Sequence, residues 1–173
     1  MRMIILLILL ASTFLFPQKE EVFTASERYI LNKISKLEDY VLSDLIANDE
    51  ILSVKIRRIT ENSVSAYFLI LIREDQYSNK SASVGESDLM EIFKALDVLI
   101  NKRSKEISSA NFISNSLTTD NGFQIGYRKW EKTYWIIRLD SYEKSTVFFD
   151  SPDGIRKTLT DALEKIDQLK SEE

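Results

Sequence analysis

From Asn111 to Leu169 apolar and polar residues alternate in short runs broken by turn residues, after which the spacing changes to that of a helix. Asp120-Asn121-Gly122 predicts a three-residue hairpin between Ile113–Leu117 and Phe123–Tyr127, with Gly122 taking the positive φ that the turn requires. Thr119 then faces Phe123, and Leu117 lies opposite Ile125. A loop at Lys129-Trp130-Glu131 places Arg128 against Lys132 and Gly126 against Tyr134. A loop at Ser141-Tyr142-Glu143 places Asp140 against Lys144, Ile137 against Val147 and Trp135 against Phe149. The three loops agree on one buried face made by Phe123, Ile125, Tyr127, Trp135, Ile137 and Leu139, because a slip of one residue would turn every side chain over. Ser151, Pro152 and Asp153 then read as a helix start, and Ile155, Leu159, Ala162, Leu163, Ile166 and Leu169 form one helical stripe.

The first half carries a related pattern. Thr24 and Glu27 have capping-box spacing, and Ile30, Ile34, Leu37, Val41 and Leu45 recur at helical intervals, which predicts an amphipathic helix ending near Asn48-Asp49-Glu50. Two strands are expected next. Leu52, Val54 and Ile56 alternate with polar residues, and a three-residue loop at Glu61-Asn62-Ser63 sets them against Val64, Ala66, Phe68, Ile70 and Ile72, leaving Tyr67, Leu69 and Leu71 outward. Lys80–Val84 reads as a short edge strand. A helix follows, with the stripe Leu89, Ile92, Phe93, Leu96, Leu99, Ile100 and Ile107. The order from Tyr67 to the helix at Leu89 parallels the order from Tyr134 to the helix at Ile155, which suggests a duplication. The expected fold is therefore α+β: a curved antiparallel sheet built from two hairpin-then-helix units, with an added N-terminal amphipathic helix and the helices on one face.

The opening residues change the picture of where the protein works. Met1-Arg2 followed by an uncharged apolar run from Met3 to Phe16 matches a secretory signal, shorter than the roughly 20 residues of a membrane span. Residues 1–18 are read as that signal and 19–173 as one α+β domain. The expected location is secreted or periplasmic, with no stable membrane insertion once the signal is removed; an uncleaved anchor is the alternative. The cleavage motif is incomplete, since no A-x-A occurs. With no Cys, the exported chain has to rely on packing instead of disulfides. A net charge of −4 provides no field to draw it to nucleic acid.

Zero His and zero Cys exclude a Ser-His-Asp triad, a thiol nucleophile and a zinc site of the usual ligands. The four glycines are too scattered for a phosphate loop, and no metal or cofactor is expected. Asp140, Glu143, Asp150 and Asp153 are the carboxylates that a small carbohydrate-active or peptidoglycan-active hydrolase would use. The preferred reading is a binding or interaction protein. Its candidate ligand-binding residues are Tyr134, Ile136, Arg138, Phe148 and Arg128 on the sheet face turned from the core, with Trp130 at a hairpin tip. The expected partner is a protein or a small-molecule or glycan ligand. A structural subunit associating through the N-terminal helix is a third reading.

Overall fold

The computed structural model describes residues 25–30, 34–75 and 79–173. The apolar leader, the Lys19–Phe23 linker and the Thr24 cap lie outside them. Among the described residues no helix is long and apolar enough to cross a membrane.

The described residues form an α+β structure. A short helix, α1 (Ala25–Ile30), precedes strands β1 (Lys36–Val41), β2 (Leu45–Ile46), β3 (Ile51–Glu61), β4 (Val64–Arg73) and β5 (Lys80–Gly85), then helix α2 (Glu86–Lys105). Strands β6 (Ile113–Thr118), β7 (Gln124–Lys129), β8 (Thr133–Arg138) and β9 (Thr146–Phe149) follow, then helix α3 (Asp153–Ser171). The strands make two antiparallel sheets in place of the single curved sheet expected. Sheet A runs β1-β3-β4-β5, with β2 also on β3, and sheet B runs β6-β7-β8-β9.

One core joins both sheets to α2 and α3. It takes Leu52, Val54, Ile56, Tyr67, Leu69 and Leu71 from sheet A and Phe123, Ile125, Tyr127, Trp135, Ile137, Val147 and Phe149 from sheet B. Leu89, Ile92, Leu96, Ile155, Leu159, Ala162, Ile166 and Leu169 supply the helical side, following the stripes expected. Each fully buried Leu or Ile contributes roughly 1.5–3 kcal/mol. Ile107, expected in the α2 stripe, lies beyond the helix and is fully exposed. At the start of α3 the N-cap falls on Pro152, one residue later than the Ser151 expected, and Ser151 Oγ accepts from the backbone N–H of Asp153.

Sheet B keeps the parity expected of it. Gly122 has φ +82°, Thr119 N–H donates to Phe123 O at 2.9 Å, and Leu117 pairs with Ile125. Ile137 pairs with Val147 and Trp135 with Phe149. The β7–β8 turn moves by one residue, to Trp130-Glu131-Lys132, which shifts the pairing by two, so Arg128 faces Tyr134 and Gly126 faces Ile136. An even displacement changes neighbours but not faces. Asp140 is not paired with Lys144; it accepts from Ser145 Oγ and from the Tyr142 N–H in a tight turn containing the 3-10 segment Glu143–Ser145.

Sheet A departs from its expected parity. The β3–β4 turn has two residues, Asn62 and Ser63, both at positive φ as in a type I′ hairpin. Ile56 therefore pairs with Leu69 and Val54 with Leu71. Tyr67, Leu69 and Leu71 enter the main core, while Phe68 and Ile70 join Ile59 in a second cluster on the opposite face. The alternating pattern allowed either parity because both faces of β4 are apolar. That second face is covered by α1, whose Tyr29 and Ile30 pack on it, and Ser26 N–H donates to Ser83 Oγ. The helices thus lie on both faces of sheet A, correcting the expectation of one.

The long N-terminal amphipathic helix is also corrected. Its expected second half forms β1 and β2, where Leu37 and Val41 are exposed. Glu38 lies opposite Arg58 and Asp39 opposite Arg57, and these ion pairs lay the segment along the edge of β3. Pairing with a distant strand outweighs the local helical spacing.

Candidate functional site

The face of sheet B turned from the core is strand-built and covered by none of the helices among the described residues; α2 and α3 pack beneath it and α1 packs on sheet A. Alternation along β7 and β8 brings Arg128, Tyr134, Ile136 and Arg138 to this face, and β9 adds Phe148. Ile136 pairs with Phe148 as expected. It is 0% exposed yet belongs to neither core cluster, so it forms the floor of the face.

At one end four aromatic rings touch in sequence. Trp130, on the β7–β8 turn, stacks on Phe112 with ring centres 6.0 Å apart. It also meets Tyr134 at 5.3 Å and Phe148 at 6.4 Å, and Tyr134 meets Phe148 edge-on at 6.1 Å. Trp130 is 42% and Phe112 56% exposed, so the assembly presents an open aromatic ledge. Lys132 Nζ lies 4.5 Å from the Tyr134 ring centre and 3.0 Å from Asp150, whose carboxylate raises the lysine's pKa.

Beside the aromatic cluster two guanidiniums converge on one carboxylate. Arg128 binds both oxygens of Glu143, donating through Nη1 to Oε1 and through Nη2 to Oε2 at 3.1 Å. Arg138 Nη1 donates to Oε2 at 3.4 Å. Hydrogen bonding from Arg128 holds the Glu143 carboxyl below its usual range. The rung beneath is Gln124, Arg138 and Thr146, directly opposite one another across three strands. Gln124 Oε1, Arg138 Nε and Thr146 Oγ1 are each buried without a protein hydrogen-bond partner.

Gly126 separates the rows of Arg128 and Gln124 and explains why this strand carries no side chain at its centre. A Cβ there would lie 2.2 Å from Asn115 O and 2.6 Å from Ser116 Cβ, inside the neighbouring strand β6. Its role is close backbone approach to β6.

No family model, curated protein or solved structure gave a significant match to the chain. The face has to be interpreted from its own chemistry.

All six residues chosen from the sequence meet on this face, with Ile136 buried beneath the others. Phe112, Lys132, Glu143, Gln124 and Thr146 were not chosen. Phe112 precedes β6 and had no periodic signal, whereas Glu143 stands in a turn and reaches the arginines only through the fold. The four carboxylates considered for hydrolysis are engaged separately: Asp140 by Ser145, Glu143 by the arginines, Asp150 by Lys132 and Asp153 by Ser151. Asp88 has a carboxyl pKa raised, chiefly by burial and then by Glu91 and Asp120. Among the described residues no three metal-binding side chains gather.

Elsewhere, Glu106 accepts from Asn115 and Tyr127 at the end of α2, and burial, then Glu106, raises the Tyr127 phenol. This group fastens α2 to sheet B. Cations at 55–58 and 102–103 are similarly engaged: Lys55 and Arg57 by Asp39, Arg58 by Glu38, Lys102 by Asn115 and Arg103 by Thr133.

Proposed function

We propose that this chain is a binding protein, exported to the periplasm or beyond, that recognises a partner protein or glycan through the outer face of sheet B. The contact residues are Trp130, Tyr134, Phe148, Arg128 and Arg138, with Ile136 as floor. The observation that carries the reading is the open aromatic ledge beside a paired-arginine site on a rigid antiparallel sheet. Aromatic rings supply apolar area at low entropic cost, and the arginines supply orientation. Export rests on the Met1–Phe16 leader pattern, and no nucleic-acid role is proposed for a chain of net charge −4.

The same strand order in the two halves, β3-β4-β5-α2 and β7-β8-β9-α3, supports a duplicated strand-and-helix unit as the origin of the architecture. The binding reading is tested by screening peptide and glycan arrays with the wild type beside a Trp130→Ala, Phe148→Ser double variant of unchanged circular dichroism. Ligands bound by the first and lost by the second support the reading; equal binding by both refutes it. Cell fractionation tests export, and a full-length cytosolic product would overturn it.

A further inference from the structure

We propose that Arg128 and Arg138 form a carboxylate-binding site that Glu143 occupies from within the chain, and that its external ligand is an acidic peptide segment of a partner protein. The proposal rests on the reading of this face as a binding surface.

The two arginine side chains are only 16% and 19% exposed, whereas that of Glu143 is 62% exposed. The cations are therefore the fixed part of the site and the carboxylate the exchangeable one. Arg128 engages both oxygens of one flat group, the geometry by which guanidinium selects a carboxylate. Beneath it, Thr146 is 7% exposed and its Oγ1 lacks a protein partner, as do Gln124 Oε1 and Arg138 Nε. Buried polar atoms are ordinarily paired, so the Glu143-bound arrangement leaves Arg138 and its rung incompletely satisfied.

Glu143 also has somewhere else to go. It lines a hollow of about 460 Å³ together with Arg73, Asp75, Lys80, Tyr142 and Lys144. A carboxylate leaving the arginines would meet three cations there against the one carboxylate of Asp75.

The aromatic neighbours point to a peptide. Trp, Tyr and Arg are the residues that carry most binding energy at protein interfaces. Tyr134 stands directly opposite Arg128, and Phe148 is two residues along β9 from Thr146, which faces Arg138. An extended peptide with a carboxylate at one position and a ring two residues away presents both to this face. The chain's overall charge of −4 does not oppose this at physiological salt, where fields are screened beyond about 8 Å.

The test uses the peptide Ser-Phe-Ser-Glu-Ser-Phe-Ser, its Gln counterpart and a uronic acid trisaccharide, titrated calorimetrically into the full-length wild type and the Glu143→Gln and Glu143→Ser variants. If Glu143 holds the arginines for roughly 90 to 99% of the time, its removal tightens binding of the Glu peptide about 10- to 100-fold and leaves the Gln peptide unchanged. Adding Arg138→Gln to either variant should abolish the gain. Equal affinities in wild type and variants, or an equal gain for both peptides, overturns the internal-occupant proposal. A gain confined to the trisaccharide overturns the peptide assignment. A Glu-peptide affinity that is unchanged by Trp130→Ala and Phe148→Ser refutes the ledge reading, whereas array ligands lost on those changes without any Glu143 effect leave that reading standing and remove only this one.

Discussion

Replacing Gly126 with alanine tests the close approach of β6 and β7 on which the candidate face is built. The added Cβ would stand 2.2 Å from the carbonyl oxygen of Asn115 and 2.7 Å from Ser116 Cα, distances that folded chains do not sustain. To restore even the 3.0 Å limit, the β6 backbone must withdraw by about 0.8 Å, and no flexible side chain is available to yield in its place. Among the described residues strand β6 pairs with β7 alone, so the shift concentrates in that ladder and in the seating of Ile113 and Leu117 on the core. Overpacking of this kind costs about 1–3 kcal/mol. In a chain of this length that corresponds to a fall in Tm of about 2–12 °C. Gly85→Ala is the control: its Cβ would meet nothing closer than 3.9 Å, and the change should stay within about 0.5 kcal/mol. Thermal unfolding followed by circular dichroism reads both, and hydrogen exchange should show the loss of protection centred on β6. If Gly126→Ala melts within about 1 °C of the wild type while Gly85→Ala does not differ from it, the argument for a backbone approach at Gly126 is wrong.

Three further outcomes follow from other parts of the fold. Arg57 above all, with Lys55, holds the Asp39 carboxyl down to about 2; since the folded value is depressed, the stabilisation is complete above about pH 4 and disappears as pH falls through 2. After solvent screening it is worth about 1 kcal/mol, so Asp39→Asn should lower stability at pH 7 by that amount but hardly at pH 2, as measured by urea unfolding. Ser63→Gly relieves a positive φ of 67° in the β3–β4 hairpin and should raise stability by about 0.5–1 kcal/mol; a lower urea midpoint would contradict the turn assignment. Phe68→Ala removes the ring against which Tyr29 packs at 5.8 Å and should cost about 3–5 kcal/mol, with faster proteolysis near α1 than near α3; uniform cleavage would count against α1 as a cover for that face.

Most of sheet B was legible because its inward positions are apolar and its outward ones mixed, so parity had a single solution. Even the two-residue pairing shift at Trp130 kept every side chain on its proper face. Strand β4 was illegible for the opposite reason: Phe68 and Ile70 are as apolar as Leu69 and Leu71, and only the Asn62-Ser63 turn and the arrival of α1 decide which pair enters the main core. The 36–46 segment has helical spacing, but its acidic residues find Arg57 and Arg58 on a strand far along the chain, information that no local window contains. The aromatic ledge was half visible. Trp130, Tyr134 and Phe148 follow from register, whereas Phe112 and Glu143 enter through loop geometry.

Ser26 is fastened to β5 through Ser83, and Glu173 accepts from the Tyr67 hydroxyl of β4. Both attachments therefore grip adjacent strands of sheet A, on its opposite faces. A tether, tag or immobilising linker at either one therefore sits beside sheet A, and the strands that carry the aromatic ledge stay free to meet whatever they capture.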